Sequence, residues 1–127
     1  MRFADILPAK QGFWAGKPVA KEEIIRAEKE LNLQFSQEYT EYIAQYGYAS
    51  VYAHEFTGLG CADRLDVVKV TQDQRGYDAS IPGNLYVVEE THMDGICIWQ
   101  DCEGNVYSKS PNSPFEKIAS SLQEYID

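Results

Sequence analysis

The sequence predicts an α+β fold: an antiparallel β-sheet running as a meander, with two N-terminal helices and one C-terminal helix packed against it. Three observations predict it. Residues 21–32 and 36–46 carry apolar side chains at helical spacing. Between Leu85 and Ser108, β-rich runs alternate with four-residue glycine turns. Near the C-terminus, Ser113-Pro114-Phe115-Glu116 places an N-cap, a proline at N1 and a glutamate at N3 ahead of an apolar stripe. Helices, then strands, then a helix is the order of an α+β chain.

Each element has its own reason. Residues 1–19 read as an irregular segment, punctuated by Pro8, Gly12, Gly16 and Pro18, with one short helical turn from Phe3, Ile6 and Leu7. Phe13 and Trp14 are the apolar anchors that pin it to the core. In the first helix Ile24, Ala27 and Leu31 share a face, and Ala20 is a weak N-cap. Ser36 caps the second, where Tyr39, Tyr42, Ile43 and Tyr46 form one stripe before Gly47. Residues 50–56 have the composition of a strand. Residues 63–74 fit a helix or a strand; Asp63 or Asp66 as a cap and Gly76 as a stop favour the helix.

The meander follows as Leu85-Tyr86-Val87-Val88, Ile96-Cys97-Ile98-Trp99 and Asn105-Val106-Tyr107-Ser108. Both faces of its middle strand are apolar, so both should be covered. The closing helix spans residues 114–126 with Phe115, Ile118, Leu122 and Tyr125 inward. The sheet is expected to hold about three to six strands. The expected core is Tyr39, Tyr42, Ile43, Leu85, Val87, Ile96, Ile98, Ile118 and Leu122.

A chain of 127 residues fits one domain and buries roughly two-thirds of its unfolded surface. No apolar run approaches the roughly 18 residues of a membrane span. The first residues lack the apolar stretch of a signal peptide, so the cytosol is the expected compartment and the cysteines are expected to be reduced. The net charge is −9. Free nucleic acid is a poor partner for such a surface, and a basic protein a better one. Neither a Lys nor an Arg occurs between Arg75 and Lys109, a stretch that holds Glu89, Glu90, Asp94, Asp101 and Glu103.

Catalytic signals are sparse. There is no GxSxG elbow, no dinucleotide fingerprint and no phosphate loop, because no Lys-Ser/Thr follows Gly58-Leu59-Gly60. His92, Cys97 and Cys102 lie five residues apart, which matches no standard zinc spacing, and no fourth ligand is evident. Cysteine-dependent chemistry would need one of three thiols beside His54 or His92, with a depressed thiol pKa as its signature. Glu89 and Glu90 point to opposite faces of a strand and share no site unless a bulge intervenes. No catalytic centre, cofactor or bound metal is expected.

The order of residues resembles the SUKH superfamily, the group named for the yeast Smi/Knr cell-wall regulator and bacterial toxin-immunity proteins. Its first motif is matched by Glu22-Glu23-Ile24, Glu28, Leu31 to Tyr39, Tyr42-Ile43 and Tyr46-Gly47. Glu55-Phe56-Thr57-Gly58-Leu59 resembles its next motif, a strand into a Gly-Leu turn. Asp94 to Ile98, followed by Gly104-Asn105-Val106-Tyr107, resembles the acidic turn and hairpin of the third, and Phe115 to Ile126 resembles the family's closing helix with its aromatic entry. Ser36 stands where the family usually has Pro, and Gly47-Tyr48 where two glycines are frequent. The resemblance implies a non-enzymatic domain. Bacterial members resemble immunity proteins that bind and neutralise a toxin, often a nuclease; eukaryotic members resemble regulatory interaction modules.

Two readings of function follow: an immunity protein that occludes a basic toxin domain, and an intracellular scaffold or regulator of the same fold. The candidate partner-binding residues are Glu89, Glu90, Asp94, Trp99, Asp101 and Glu103, carried by the hairpins of residues 84–109. Asp94 and Glu103 each precede a glycine in a turn and should be exposed. Trp99 reads first as core, and as a central anchor if the fold leaves it open. The alternative docking surface is the loop of residues 58–66.

Overall fold

The computed structural model describes residues 2–127. Among them are five α-helices, two short 3-10 turns and one seven-stranded sheet. The elements are α1 (Phe3–Ile6), β1 (Trp14–Ala15), α2 (Lys21–Leu31), α3 (Gln37–Tyr46), β2 (Ala49–Val51), β3 (His54–Phe56), α4 (Val67–Tyr77), β4 (Tyr86–Glu90), β5 (Cys97–Gln100), β6 (Val106–Lys109), β7 (Glu116–Ala119) and α5 (Leu122–Ile126). Strand order follows chain order, and every neighbouring pair is antiparallel. The class is α+β, as the periodicity predicts.

The two N-terminal helices form where the spacing places them. Ile24, Ala27 and Leu31 of α2 are buried, and the Ser36 hydroxyl caps α3 by accepting from the Tyr39 amide at 3.0 Å. Gly47 ends α3 with a positive φ of 75°. Its carbonyl then passes so close to Gly58 that a Cβ there would sit 1.9 Å away, so Gly58 admits no side chain.

Four expectations about the elements need correction, and two about the core. The sheet has seven strands, beyond the expected range, because short pieces at both ends join it. Residues 14–15, inside the supposedly irregular segment, pair with β2. Residues 50–56 are a hairpin, β2–β3, turning at Tyr52. Residues 114–121 are not helical: residues 116–119 form β7, and only Leu122–Ile126 is helix, capped by Ser121. The free edge of β6 explains this last outcome. Its backbone groups find partners in β7, and that ladder outweighs a local capping signal. Ile118 is consequently 40% exposed instead of core. Ile96 is only half-buried, because it lies in the turn ahead of β5.

The sheet has two unequal covers. On one face α1, α2, α3 and α5 close over Val51, Phe56, Tyr86, Val88, Ile98 and Val106. On the other, α4 packs Val70 against a smaller cluster of Leu85, Val87, Cys97 and Trp99, edged by Ile81, Tyr107 and Phe115. Asp66 caps α4, its carboxylate accepting from the amides of Val68 and Lys69. The helical reading of this ambiguous stretch therefore holds, although Gly76 lies inside the helix, which runs to Tyr77.

Candidate protein-binding surface

The first face is closed by hydrogen bonds as well as by packing. Thr57 Oγ1 donates to the Val87 carbonyl, so the Tyr39 hydroxyl is the donor in its 2.8 Å bond to Thr57 Oγ1. The Tyr42 hydroxyl donates to the Thr57 carbonyl. Tyr86 and Ser36 both donate to Gln100 Oε1, and Gln100 Nε2 donates to Glu38 and to the Gly104 carbonyl. Glu38 in turn accepts from the amides of Leu122 and Gln123, which ties α5 to α3. Burial raises the Tyr39, Tyr42 and Tyr86 hydroxyls above the ordinary tyrosine range.

The structure splits the six candidate residues. A bulge in β4 sets Glu89 opposite Ile98, on the first face. There its carboxylate is 4% exposed, lies 2.9 Å from His54 Nδ1 and accepts from the Tyr125 hydroxyl at 2.6 Å. Burial and this carboxylate push Tyr125 up. The amide of Val87, beside the bulge, donates to Thr71 Oγ1. Glu89 is thus a structural acid and not a surface one. Asp101 is also buried, and accepts from the amides of Glu103 and Asn105, from Asn105 Nδ2 and from the Tyr107 hydroxyl. It organises the β5–β6 turn.

Glu90, Asp94 and Glu103 remain on the outside. Asp94 and Glu103 are exposed, as their turns predict, and Glu90 is half-buried. They do not form one patch. Glu90 and Asp94 flank the β4–β5 turn, whereas Glu103 sits in the β5–β6 turn, at the opposite end of a strand roughly 13 Å long. Trp99 is 1% exposed and packs edge-on against Phe115, so it is core.

Trp99 nevertheless lines a groove of about 430 Å³ on the second face. One wall is the end of α4 and the turn after it, with Gln74, Tyr77, Asp78 and Ile81; the other is Gly95, Cys97, Lys109 and Pro111. Tyr77 is 83% exposed. Glu90 pairs in register with Cys97, and Asp94 precedes Gly95, so both acids adjoin residues of the groove without lining it. Sequence reading missed Tyr77, Ile81 and Pro111. An aromatic at the end of a weakly amphipathic helix was the one available signal for Tyr77.

Two of the three thiols, Cys61 and Cys97, are held in their protonated form. Burial, helped by Asp66, pushes Cys61 up to about 11, and burial with Glu90 pushes Cys97 up to about 12. Among the described residues no three His, Cys, Asp or Glu side chains gather where they could hold a metal ion. No helix among them is long and apolar enough to cross a membrane.

The SUKH_5 family model, described as SMI1-KNR4 cell-wall, matches residues 7–127. No curated protein matches the chain.

Proposed function

The chain belongs to the SMI1-KNR4 family of SUKH domains, and on that premise we propose that it is a non-enzymatic immunity protein that binds a basic toxin domain and blocks it. The observation that carries the reading is the family match over residues 7–127. The charge supports it. A nuclease cleft is basic because it holds phosphate, and a partner at −9 is steered to it. The docking end is the β4–β5 turn with Glu90 and Asp94, where no cation of this chain neutralises the acids among the described residues. The raised thiols of Cys61 and Cys97 speak against a cysteine enzyme.

Affinity capture from the producing strain and its competitors, followed by a nuclease assay on the captured protein, tests the proposal. One-to-one loss of nuclease activity is the expected result. A captured partner whose activity is unchanged turns the reading to a regulatory scaffold.

A further inference from the structure

A separate groove, of about 760 Å³, lies between the end of α2, Arg75 of α4 and the turn into β4. One terminal nitrogen of Arg75 donates to the Leu31 carbonyl at 3.2 Å and the other to the Gly83 carbonyl at 2.8 Å, so the guanidinium ties two walls of the groove together. Both acceptors are neutral. The chain has four arginines. Arg2, Arg26 and Arg64 each meet a carboxylate, whereas Arg75 has none within 4.0 Å among the described residues. The end of α2 offers it only about half an elementary charge. Burial without a counter-charge holds Arg75 below the usual arginine range. In a chain of 20 acids and 11 bases, pairing would be the ordinary outcome.

The rest of the lining selects the ligand. Lys29 is exposed and has no ion-pair partner among the described residues. Glu28 also lines the groove, with one carboxylate oxygen accepting from the Phe35 amide. Two cations against one carboxylate match a single negative charge; the second charge of a phosphate would face Glu28 unmatched. Asn32, Gln34 and Asn84 add neutral amides, and Ile25 and Leu33 an apolar wall. The Arg75 Nε–H is buried out of a ligand's reach. Each terminal nitrogen, however, keeps a second N–H that has no acceptor among the described residues, and the bond to Gly83 lies on the exposed side. The volume falls within the roughly 300–1,000 Å³ range of small-molecule pockets.

We propose that this groove binds a small organic monocarboxylate. The carboxylate accepts from the remaining N–H groups of Arg75 and is drawn in by Lys29, while the apolar body lies along Ile25 and Leu33. The site is independent of the immunity reading. It lies beside Asn84 and Cys102, at the end of β5 away from Glu90 and Asp94.

Four arginines give four Nε–H resonances, and Arg75→Lys identifies the one that belongs to the groove. The probe is phenylacetate, with phenylacetamide as its neutral control and phenyl phosphate as the doubly charged one. A saturable shift of the Arg75 Nε–H and of the Asn84 side-chain amide with phenylacetate, absent with phenylacetamide, is the expected result. Arg75→Lys keeps the charge but loses the planar fork, and should weaken binding about tenfold. If that variant does not fold, Lys29→Gln, at an exposed helix position, should weaken binding about threefold. The proposal is overturned if no saturable shift appears at tens of millimolar phenylacetate, if phenylacetamide acts alike, or if the shifts fall on other arginines alone. Tighter binding of phenyl phosphate overturns the assignment to a monocarboxylate.

Discussion

The two faces of the sheet are finished differently. On the first, the buried hydroxyls of Tyr39, Tyr42 and Tyr86 and the side chains of Thr57 and Gln100 all have hydrogen-bond partners, and four helices close over them. On the second, a single helix lays Val70 over four buried residues, the Trp99 N–H is orphaned and a groove stays open beside it. A fully satisfied core holds a structure in one state, whereas the half-covered face leaves a groove open to solvent.

The largest expected consequence of this contrast is alkaline unfolding. The phenols of Tyr39, Tyr42, Tyr86 and Tyr125 are all raised, mainly by burial. A raised pKa contributes stability that is complete below the unfolded value, about 10, and is lost as the pH climbs above it. These four should stay protonated until the fold opens, so phenolate absorbance should rise in a step that coincides with loss of helical circular dichroism. Ionisation of all nine tyrosines ahead of unfolding would show that the first face is open after all.

Tyr42→Ala empties part of that face and should cost about 3–5 kcal/mol in urea denaturation. Glu89→Leu leaves Tyr125 and His54 without their acceptor, at a cost of about 1–3 kcal/mol. Adding Tyr125→Phe should recover part of that loss; strictly additive losses would mean that the two groups are not coupled. On the second face Trp99→Phe should change stability by less than about 1 kcal/mol, because the lost packing is offset by removal of an unsatisfied donor. A larger loss would place Trp99 among the purely structural residues.

The smallest effect on stability is expected from Glu90→Lys with Asp94→Lys, within about 0.5 kcal/mol per site. Association with a basic toxin should slow, and its salt dependence should flatten. Glu103→Lys, at the other end of β5, serves as the matched control. An equal slowing by that variant would return docking to a broader acidic surface.

The resemblance motif illustrates what a sequence pattern encodes. Glu28 accepts from the Phe35 amide, Ser36 caps α3, and Tyr39 and Tyr42 meet at Thr57, which belongs to the stretch of the motif around β3. Gly47 and Gly58 allow two backbones to touch. These positions build the first face, so the family was legible in the chain while the docking chemistry was not.

Local spacing by itself determined α2, α3, the antiparallel order of the central strands and the exposure of Asp94 and Glu103, because each depends on neighbours within a few residues. Tertiary structure decided the rest. Glu89 turned inward because a bulge in β4 set it opposite Ile98, between β3 and α5. Residues 116–119 left a well-capped helix because β6 needed a neighbour. The groove joins Tyr77 to Pro111, which meet only after α4 has packed across the sheet. A one-dimensional pattern registers which residues repeat, but a strand edge, a bulge partner or a cavity wall is supplied by segments distant in the chain, and their pairing energy overrides local preference.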